Sequence, residues 1–155
     1  MKNNVSFNST LTKFGMGLFE TIKVTDYPLD LDLHMNRLFN SIKELNLSIE
    51  NDKEFYKETI LKYIKENNVK NKALRLTVFD EGYNISLRDI TYNEDTYKKG
   101  FSLCISPIKR GDSIIYRHKT TNYFESMYSK HYATDRNFND AIFLDSLSNI
   151  LECSM

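Results

Sequence analysis

The sequence contains no tryptophan, only two cysteines and no excess of charge of either sign. Lysine plus arginine and aspartate plus glutamate each number 21, so the formal net charge is zero. A general nucleic-acid or anionic-membrane binder would show a basic excess, so that class of protein is not expected. Cys104 and Cys153 lie far apart and form no C-x-x-C pattern. We therefore expect two reduced thiols rather than a disulfide or redox motif.

Long apolar runs and the common catalytic motifs are also missing. No segment approaches the roughly 20 apolar residues of a membrane span, and the polar start lacks a signal-peptide pattern. These absences favour a cytoplasmic protein without a membrane partner. There is no P-loop, G-x-G-x-x-G, H-E-x-x-H or G-x-S-x-G motif. The histidines, three in number, lack paired metal-ligand spacing, so no metal site is expected.

The apolar pattern that is present predicts grouped helices and strands. Residues 1–13 are expected to form an extended edge, and alternation from Leu18 to Val24 predicts a strand. Apolar stripes predict helices at about residues 34–46 and 53–66, with a capping box from Asn51 and Glu54. Further strands are expected at 74–79, 83–88 and 101–106, the last stopped by Pro107. Helices grouped between strands favour an α+β fold over a doubly wound one.

The remainder of the chain is predicted to begin a second domain. Pro107 and Gly111 mark a connector, followed by a helix at about residues 121–135 and a strand at 140–145. Another strand begins at Ile150, close to the last residue, Met155. We interpret this as a chain whose C-terminal part is missing.

Four segments carry a resemblance to a known family. They are Gly17–Val24 (G-L-F-E-T-I-K-V), Leu33–Leu38 (L-H-M-N-R-L), Lys119–Tyr123 (K-T-T-N-Y), and Asp140–Leu144 followed by Glu152-Cys153-Ser154. In this order they resemble the motifs of the class-IV aminotransferases, the fold-type-IV pyridoxal phosphate enzymes. The resemblance implies an N-terminal α+β domain at residues 1–110, a connector at 111–118, and the first part of an α/β cofactor domain at 119–155.

The resemblance also implies a set of site residues. Lys119 would form a Schiff base with pyridoxal 5'-phosphate, and Arg37 would bind the cofactor phosphate. Glu152 would hydrogen-bond the pyridine nitrogen, and Tyr123 would lie near the ring. The residue types suit these tasks, because lysine can supply a neutral amine and a guanidinium binds phosphate bidentately. A small-molecule amino substrate and a homodimer are likewise implied.

Several reactions remain open within this family. The compact spacing resembles aminodeoxychorismate lyase, which releases pyruvate and yields 4-aminobenzoate for folate synthesis. An amino-acid aminotransferase of the branched-chain or D-amino acid type is the alternative. A further alternative is a catalytically inactive fragment, since the family's later glycine- and threonine-bearing loops are not found in these residues.

Overall fold

The computed structural model describes all 155 residues and divides them into two compact units. The first unit comprises residues 1–90 and 118–121, and the second comprises residues 91–117 and 122–155. The chain therefore leaves the first unit, forms part of the second, and returns to the first for four residues. No helix is both long enough and apolar enough to cross a membrane.

The first unit is built on an antiparallel sheet with strand order β1-β2-β3. In the ladder Ile22 lies opposite Leu74, and Leu76 lies opposite Ile85. The strands and the helices of this unit are α1 (Thr10–Phe14), β1 (Gly17–Val24), α2 (Leu31–Glu44), α3 (Lys53–Glu66), β2 (Lys72–Phe79) and β3 (Gly82–Asp89). The core forms where α2 and α3 pack their apolar stripes against the inward face of this sheet. Its most buried members are Leu18, Ile22, Val24, Met35, Leu38, Tyr56, Ile60, Leu74, Leu76 and Val78.

Residues 118–121, which we name the lysine segment, lie along β1 on the edge away from β2. The amide of Phe19 donates to the carbonyl of Lys119 at 2.9 Å, and the amide of Thr121 donates to the carbonyl of Gly17 at 2.9 Å. Leu18 and Thr120 form an antiparallel bridge between these bonds. The lysine segment therefore acts as a short additional strand of the first sheet.

The second unit contains a mixed sheet with strand order β4-β5-β6. Its elements are α4 (Glu94–Lys99), β4 (Leu103–Arg110), a 3-10 helix (Ile114–Arg117), α5 (Phe124–Thr134), β5 (Asp140–Asp145) and β6 (Ile150–Cys153). β4 and β5 are parallel, which requires a crossover connection, and α5 supplies it and packs on both strands. β6 returns antiparallel to β5.

The α+β class expected from the sequence is confirmed, and several local predictions are wrong. Residues 10–14 form α1 rather than an extended edge, because Ser9 caps the helix by accepting a bond from the Leu11 amide at 3.1 Å. Helix α3 is capped by Asp52 rather than Asn51. Pro107 does not stop β4, since the register shifts between Ile105 and Lys109. An edge strand tolerates proline at such an irregularity.

The division into units also differs from the expected boundary at residues 111–118. β4 was expected in the N-terminal domain, but it pairs with β5 and so belongs to the second unit. Lys119 was expected in the C-terminal domain, but its backbone bond to β1 places it in the first unit. Both differences come from pairing between strands distant in sequence, which local patterns do not encode.

Gly17 provides a test of how closely the lysine segment must approach β1. A Cβ atom at Gly17 would lie 2.9 Å from Leu11 Cδ1, the end of a flexible side chain, 3.0 Å from Thr121 Oγ1 and 3.1 Å from Thr121 Cγ2. Thr121 cannot withdraw freely, because its hydroxyl donates to the Gly15 carbonyl at 2.6 Å. We expect Gly17→Ala to lower the free energy of unfolding by about 1–3 kcal/mol, as overpacking does, in a urea titration. Gly111→Ala is the control, since nothing lies within 4 Å of its added Cβ. Equal losses in both variants would contradict the close approach.

Candidate functional site

The centre of the first unit's polar site is Glu20, a carboxylate that is only 1% exposed. Glu20 lies on β1 at an inward position, between the apolar side chains of Leu18 and Ile22. The Arg37 Nε donates to Oε1 at 2.7 Å, and the Arg37 Nη2 donates to Oε2 at 2.5 Å. The His34 Nδ1 lies 2.7 Å from Oε2. The carboxylate thus has a donor for each oxygen, as a buried charge requires.

The environment keeps Glu20 ionised. Burial alone would raise the pKa of Glu20, but the hydrogen bonds and charges of Arg37 and His34 outweigh burial and lower it. The same bond to Glu20 raises the pKa of Arg37. Because an ionised carboxylate only accepts, the proton in the contact with His34 must lie on Nδ1. The 3.3 Å approach of Arg37 Nη2 to that nitrogen is therefore not a second hydrogen bond.

Arg37 is held in orientation while remaining accessible. It lies in the second turn of α2, and its side chain is 52% exposed. The bonds to Glu20 use Nε and Nη2, so Nη1 is not engaged by that carboxylate. A guanidinium fixed on one side in this way can offer its remaining N–H groups to an anion.

Lys119 lies on the opposite edge of β1 from β2, beside Phe19. Its Nζ lies 5.3 Å from the centroid of the Phe19 ring, and the guanidinium of Arg75 lies 3.6 Å from the same centroid. Phe19 is 4% exposed, so the amine is placed against a buried aromatic surface. The first unit therefore holds both Lys119 and Arg37 among its elements.

The other two expected site residues belong to the second unit. Tyr123 is partly buried and occupies the N-cap position of α5. Glu152 lies in β6, and its side chain is 59% exposed. Arg110 Nη1 donates to Glu152 Oε1, so this carboxylate is also fixed by an opposite charge.

Arg110 is the buried member of that ion pair, with a side chain 8% exposed. It stands over the Phe143 ring at 3.7 Å, and its Nη2 donates to Ser126 Oγ at 3.1 Å. Its Nε lies 3.9 Å from a carboxylate oxygen of Glu125 but makes no hydrogen bond. Glu125 also accepts from the Tyr116 hydroxyl at 3.3 Å. Burial and the Glu125 charge raise the pKa of Tyr116.

Sequence reasoning missed the residues that support the expected site. Glu20, His34 and Arg110 were not assigned as supporting residues by any motif, although Glu20 carried a signal. A glutamate at an inward position of an alternating strand needs a cationic partner. Arg37 lies within one of the quoted motifs and was a candidate for that partner. The structure gathers no group of three or more His, Cys, Asp or Glu side chains able to hold a metal ion. Cys104 and Cys153 are free and partly buried, as expected.

Comparison with known families gives a match over most of the chain. The family model described as amino-transferase class IV matches residues 17–155. Among curated protein sequences, none matches this chain.

Solved structures show the same fold at low sequence identity. A Legionella pneumophila protein assigned as a 4-amino-4-deoxychorismate lyase is 19% identical, with a TM-score of 0.85, over 99% of this chain and 61% of that one. The Escherichia coli branched-chain amino acid aminotransferase is 21% identical, with a TM-score of 0.85, over 98% and 58%. The branched-chain aminotransferase of the archaeon Thermoproteus uzoniensis, solved with norvaline, is 20% identical, with a TM-score of 0.85, over 99% and 58%. The chain thus spans about three fifths of these structures' length.

Some of the similar structures contain a form of the cofactor that the sequence implies. A branched-chain amino acid aminotransferase solved with pyridoxamine 5'-phosphate is 21% identical to this chain, with a TM-score of 0.88. The match covers 99% of this chain and 58% of that one. The fold of the present chain is therefore one that accommodates this class of cofactor in a similar protein.

The buried pair of Glu20 and Arg37 predicts a specific dependence of stability on pH. The pKa of Glu20 is lowered from its ordinary value of 4.5. The ionised carboxylate therefore stabilises the folded state in full above that pH. The effect is lost as pH falls through the lower, folded-state value. Glu20→Gln should cost roughly 1–3 kcal/mol at pH 7, and the difference from wild type should shrink in the acid range. Urea titrations from pH 7 down to pH 3 measure both quantities.

Asp89→Asn is the matched control, because Asp89 forms an exposed ion pair with Lys72 on the same sheet. Exposed pairs stabilise little, so this variant should lose less at pH 7. If the two variants lost equal stability at pH 7, the buried pair would not have the assigned importance.

Proposed function

The chain belongs to the amino-transferase class IV family, and we propose that its residues Lys119, Arg37, Tyr123 and Glu152 serve an enzyme that uses pyridoxal 5'-phosphate. The observation that carries the proposal is the position of Lys119. Its backbone is bonded to β1, and its amine is placed against the buried Phe19 ring. A lysine amine against such an apolar surface is the type of amine that carbonyl chemistry uses.

The residues of the first unit fit the phosphate end of this cofactor. Arg37 is half exposed, is aligned by Glu20 and keeps Nη1 outside the bonds to that carboxylate. Charge-assisted bonds from a planar guanidinium to phosphate are short and directional. Without Glu20, the long arginine side chain would have to be ordered when the phosphate binds.

The residues of the second unit fit the ring of the cofactor. Glu152 is more than half exposed, and Arg110 bonds one of its two carboxylate oxygens. The carboxylate is thereby held in orientation by a fixed positive charge, which suits an acceptor for a protonated ring nitrogen. Tyr123, at the start of α5, supplies a hydroxyl for the ring's phenolic oxygen.

When bound, the cofactor supplies an electron-withdrawing ring that stabilises negative charge at the α-carbon of an amino substrate. Glu152 would support that property by accepting a hydrogen bond from the protonated ring nitrogen. Lys119 would carry a proton to or from the substrate's reacting carbon. Arg37 keeps the phosphate end in place while this occurs. A small-molecule amino compound is thus the proposed substrate, and a homodimer the proposed assembly.

We propose lyase chemistry of the aminodeoxychorismate type, with release of pyruvate and formation of 4-aminobenzoate. The support is the compact spacing between motifs along residues 17–154. An amino-acid aminotransferase is the second candidate, favoured by the branched-chain aminotransferases among the similar folds. Likeness of fold does not separate the two, because identity is near one fifth for both.

Covalent labelling tests whether Lys119 is the cofactor-binding residue. Protein incubated with pyridoxal phosphate and then reduced with borohydride should carry the phosphopyridoxyl group on Lys119, located by peptide mass spectrometry. Lys119→Arg should lose the label and the visible absorption band, because a guanidinium does not form the same bond. Lys98→Arg is the control, since Lys98 is an exposed helix residue. Labelling that is absent, or spread evenly over surface lysines, would overturn the assignment.

Product analysis tests the reaction. Purified protein loaded with pyridoxal phosphate should release pyruvate from aminodeoxychorismate, measured with lactate dehydrogenase, and this activity should be lost in Lys119→Arg. Formation of 2-oxo acid from an amino acid and an acceptor, without pyruvate release, would replace the lyase by an aminotransferase. Labelling of Lys119 without turnover of either kind would identify a catalytically inactive cofactor-binding chain.

A further inference from the structure

His118 begins the lysine segment and is buried against helix α2. Its side chain is 5% exposed, and its Nδ1 lies 2.9 Å from the hydroxyl oxygen of Ser41. Its Nε2 lies 3.6 Å from a carboxylate oxygen of Glu44 and makes no hydrogen bond. Both neighbours belong to α2, the helix that also carries Arg37.

The direction of these hydrogen bonds follows from counting protons. A serine hydroxyl has one proton, and Ser41 donates it to the carbonyl of Arg37 at 3.0 Å. The oxygen of Ser41 is then the acceptor, so His118 Nδ1 carries the proton of their shared bond. The result is a continuous set of bonds from His118 through Ser41 to the backbone of Arg37.

Packing alone does not explain an imidazole at this position. A leucine would fill a similar space, whereas burying a ring nitrogen without a hydrogen bond costs free energy. The histidine is therefore explained by the bond that it donates to Ser41. This bond is a side-chain connection from the lysine segment to α2, whereas the connection of Lys119 to β1 is through its backbone carbonyl.

We propose that His118 and Ser41 form a positioning pair that docks the lysine segment on α2. Lys119 is then fixed from two directions, by β1 through its own carbonyl and by α2 through its neighbour. Because Arg37 lies on the same helix, one connected set of hydrogen bonds places the amine and the guanidinium. The consequence for cofactor binding rests on the function proposed above, but the docking itself does not.

Native-state hydrogen exchange measures the docking without any cofactor. The amides of Phe19 and Thr121 bond across the gap between β1 and the lysine segment, so their exchange reports its opening. Removing a buried hydrogen bond in His118→Leu should speed their exchange about tenfold. His118→Asn should stay within about threefold of wild type, since the asparagine amide can replace Nδ1 as a donor. Amides of β2, the central strand, report global unfolding and should change less than those of Phe19 and Thr121.

Ser41→Ala provides a second variant that favours folding, because alanine is the better helix former. It should speed exchange at Phe19 and Thr121 as His118→Leu does. Ser129→Ala is the matched control, since Ser129 is also a buried helical serine, bonded to Ser106 at 2.8 Å. It should leave those two amides unchanged. Equal acceleration at β2, or none in either docking variant, would overturn the positioning pair.

Cofactor binding supplies the remaining measurement. If the docking places Lys119, His118→Leu and Ser41→Ala should weaken pyridoxal phosphate binding about tenfold, followed by absorbance, and His118→Asn should restore it. Accelerated exchange without a change in binding would overturn the link between the pair and the cofactor. Failure of wild-type protein to bind pyridoxal phosphate, with the exchange pattern as expected, would instead refute the proposed function and retain the docking.

Discussion

The first unit depends on keeping one carboxylate ionised inside its core. An unpaired carboxylate at the position of Glu20 would cost several kcal/mol, so Arg37 and His34 must reach it from α2. These two residues are three apart and lie on the same face of the helix. Their bonds therefore fix the rotation of α2 about its own axis relative to β1, which apolar contacts alone would specify less tightly.

That rotation also sets the positions of Ser41 and Glu44. His34, Arg37, Ser41 and Glu44 follow one another at helical spacing and form a polar stripe beside the apolar stripe of α2. One end of the polar stripe contacts Glu20 on β1, and the other end contacts His118 in the lysine segment. The helix thus connects β1 and the lysine segment through polar contacts, while its apolar stripe packs into the core.

Apolar periodicity predicted most of this architecture and little of its polar detail. The stripes of α2 and α3 and the alternation in β1 located three elements closely, because each pattern repeats over several turns or residues. Arg37 was expected only as the residue that binds the cofactor phosphate, and no partner for it within the chain was predicted. Its partner Glu20 is 17 positions away, and no local pattern joins a strand residue to a particular helix cation. β4 likewise continues past Pro107 because its pairing with β5, which is distant in sequence, overrides the local tendency of proline to end a strand.

The two units use the same arrangement at the residues proposed to contact the cofactor. In each unit a more exposed ion, Arg37 or Glu152, is fixed by a buried ion of opposite charge, Glu20 or Arg110. The buried ion is the one to which no motif gave a role, and it needs its exposed partner to offset its own desolvation. Replacing Arg37 or Glu152 therefore disturbs the fold as well as the site, and loss of activity in such variants does not by itself assign chemistry. Lys119 differs, because the structure gives it no carboxylate partner among its ion pairs or hydrogen bonds. Its replacement is accordingly the clearest chemical probe, and its position depends on the backbone of β1 and on His118.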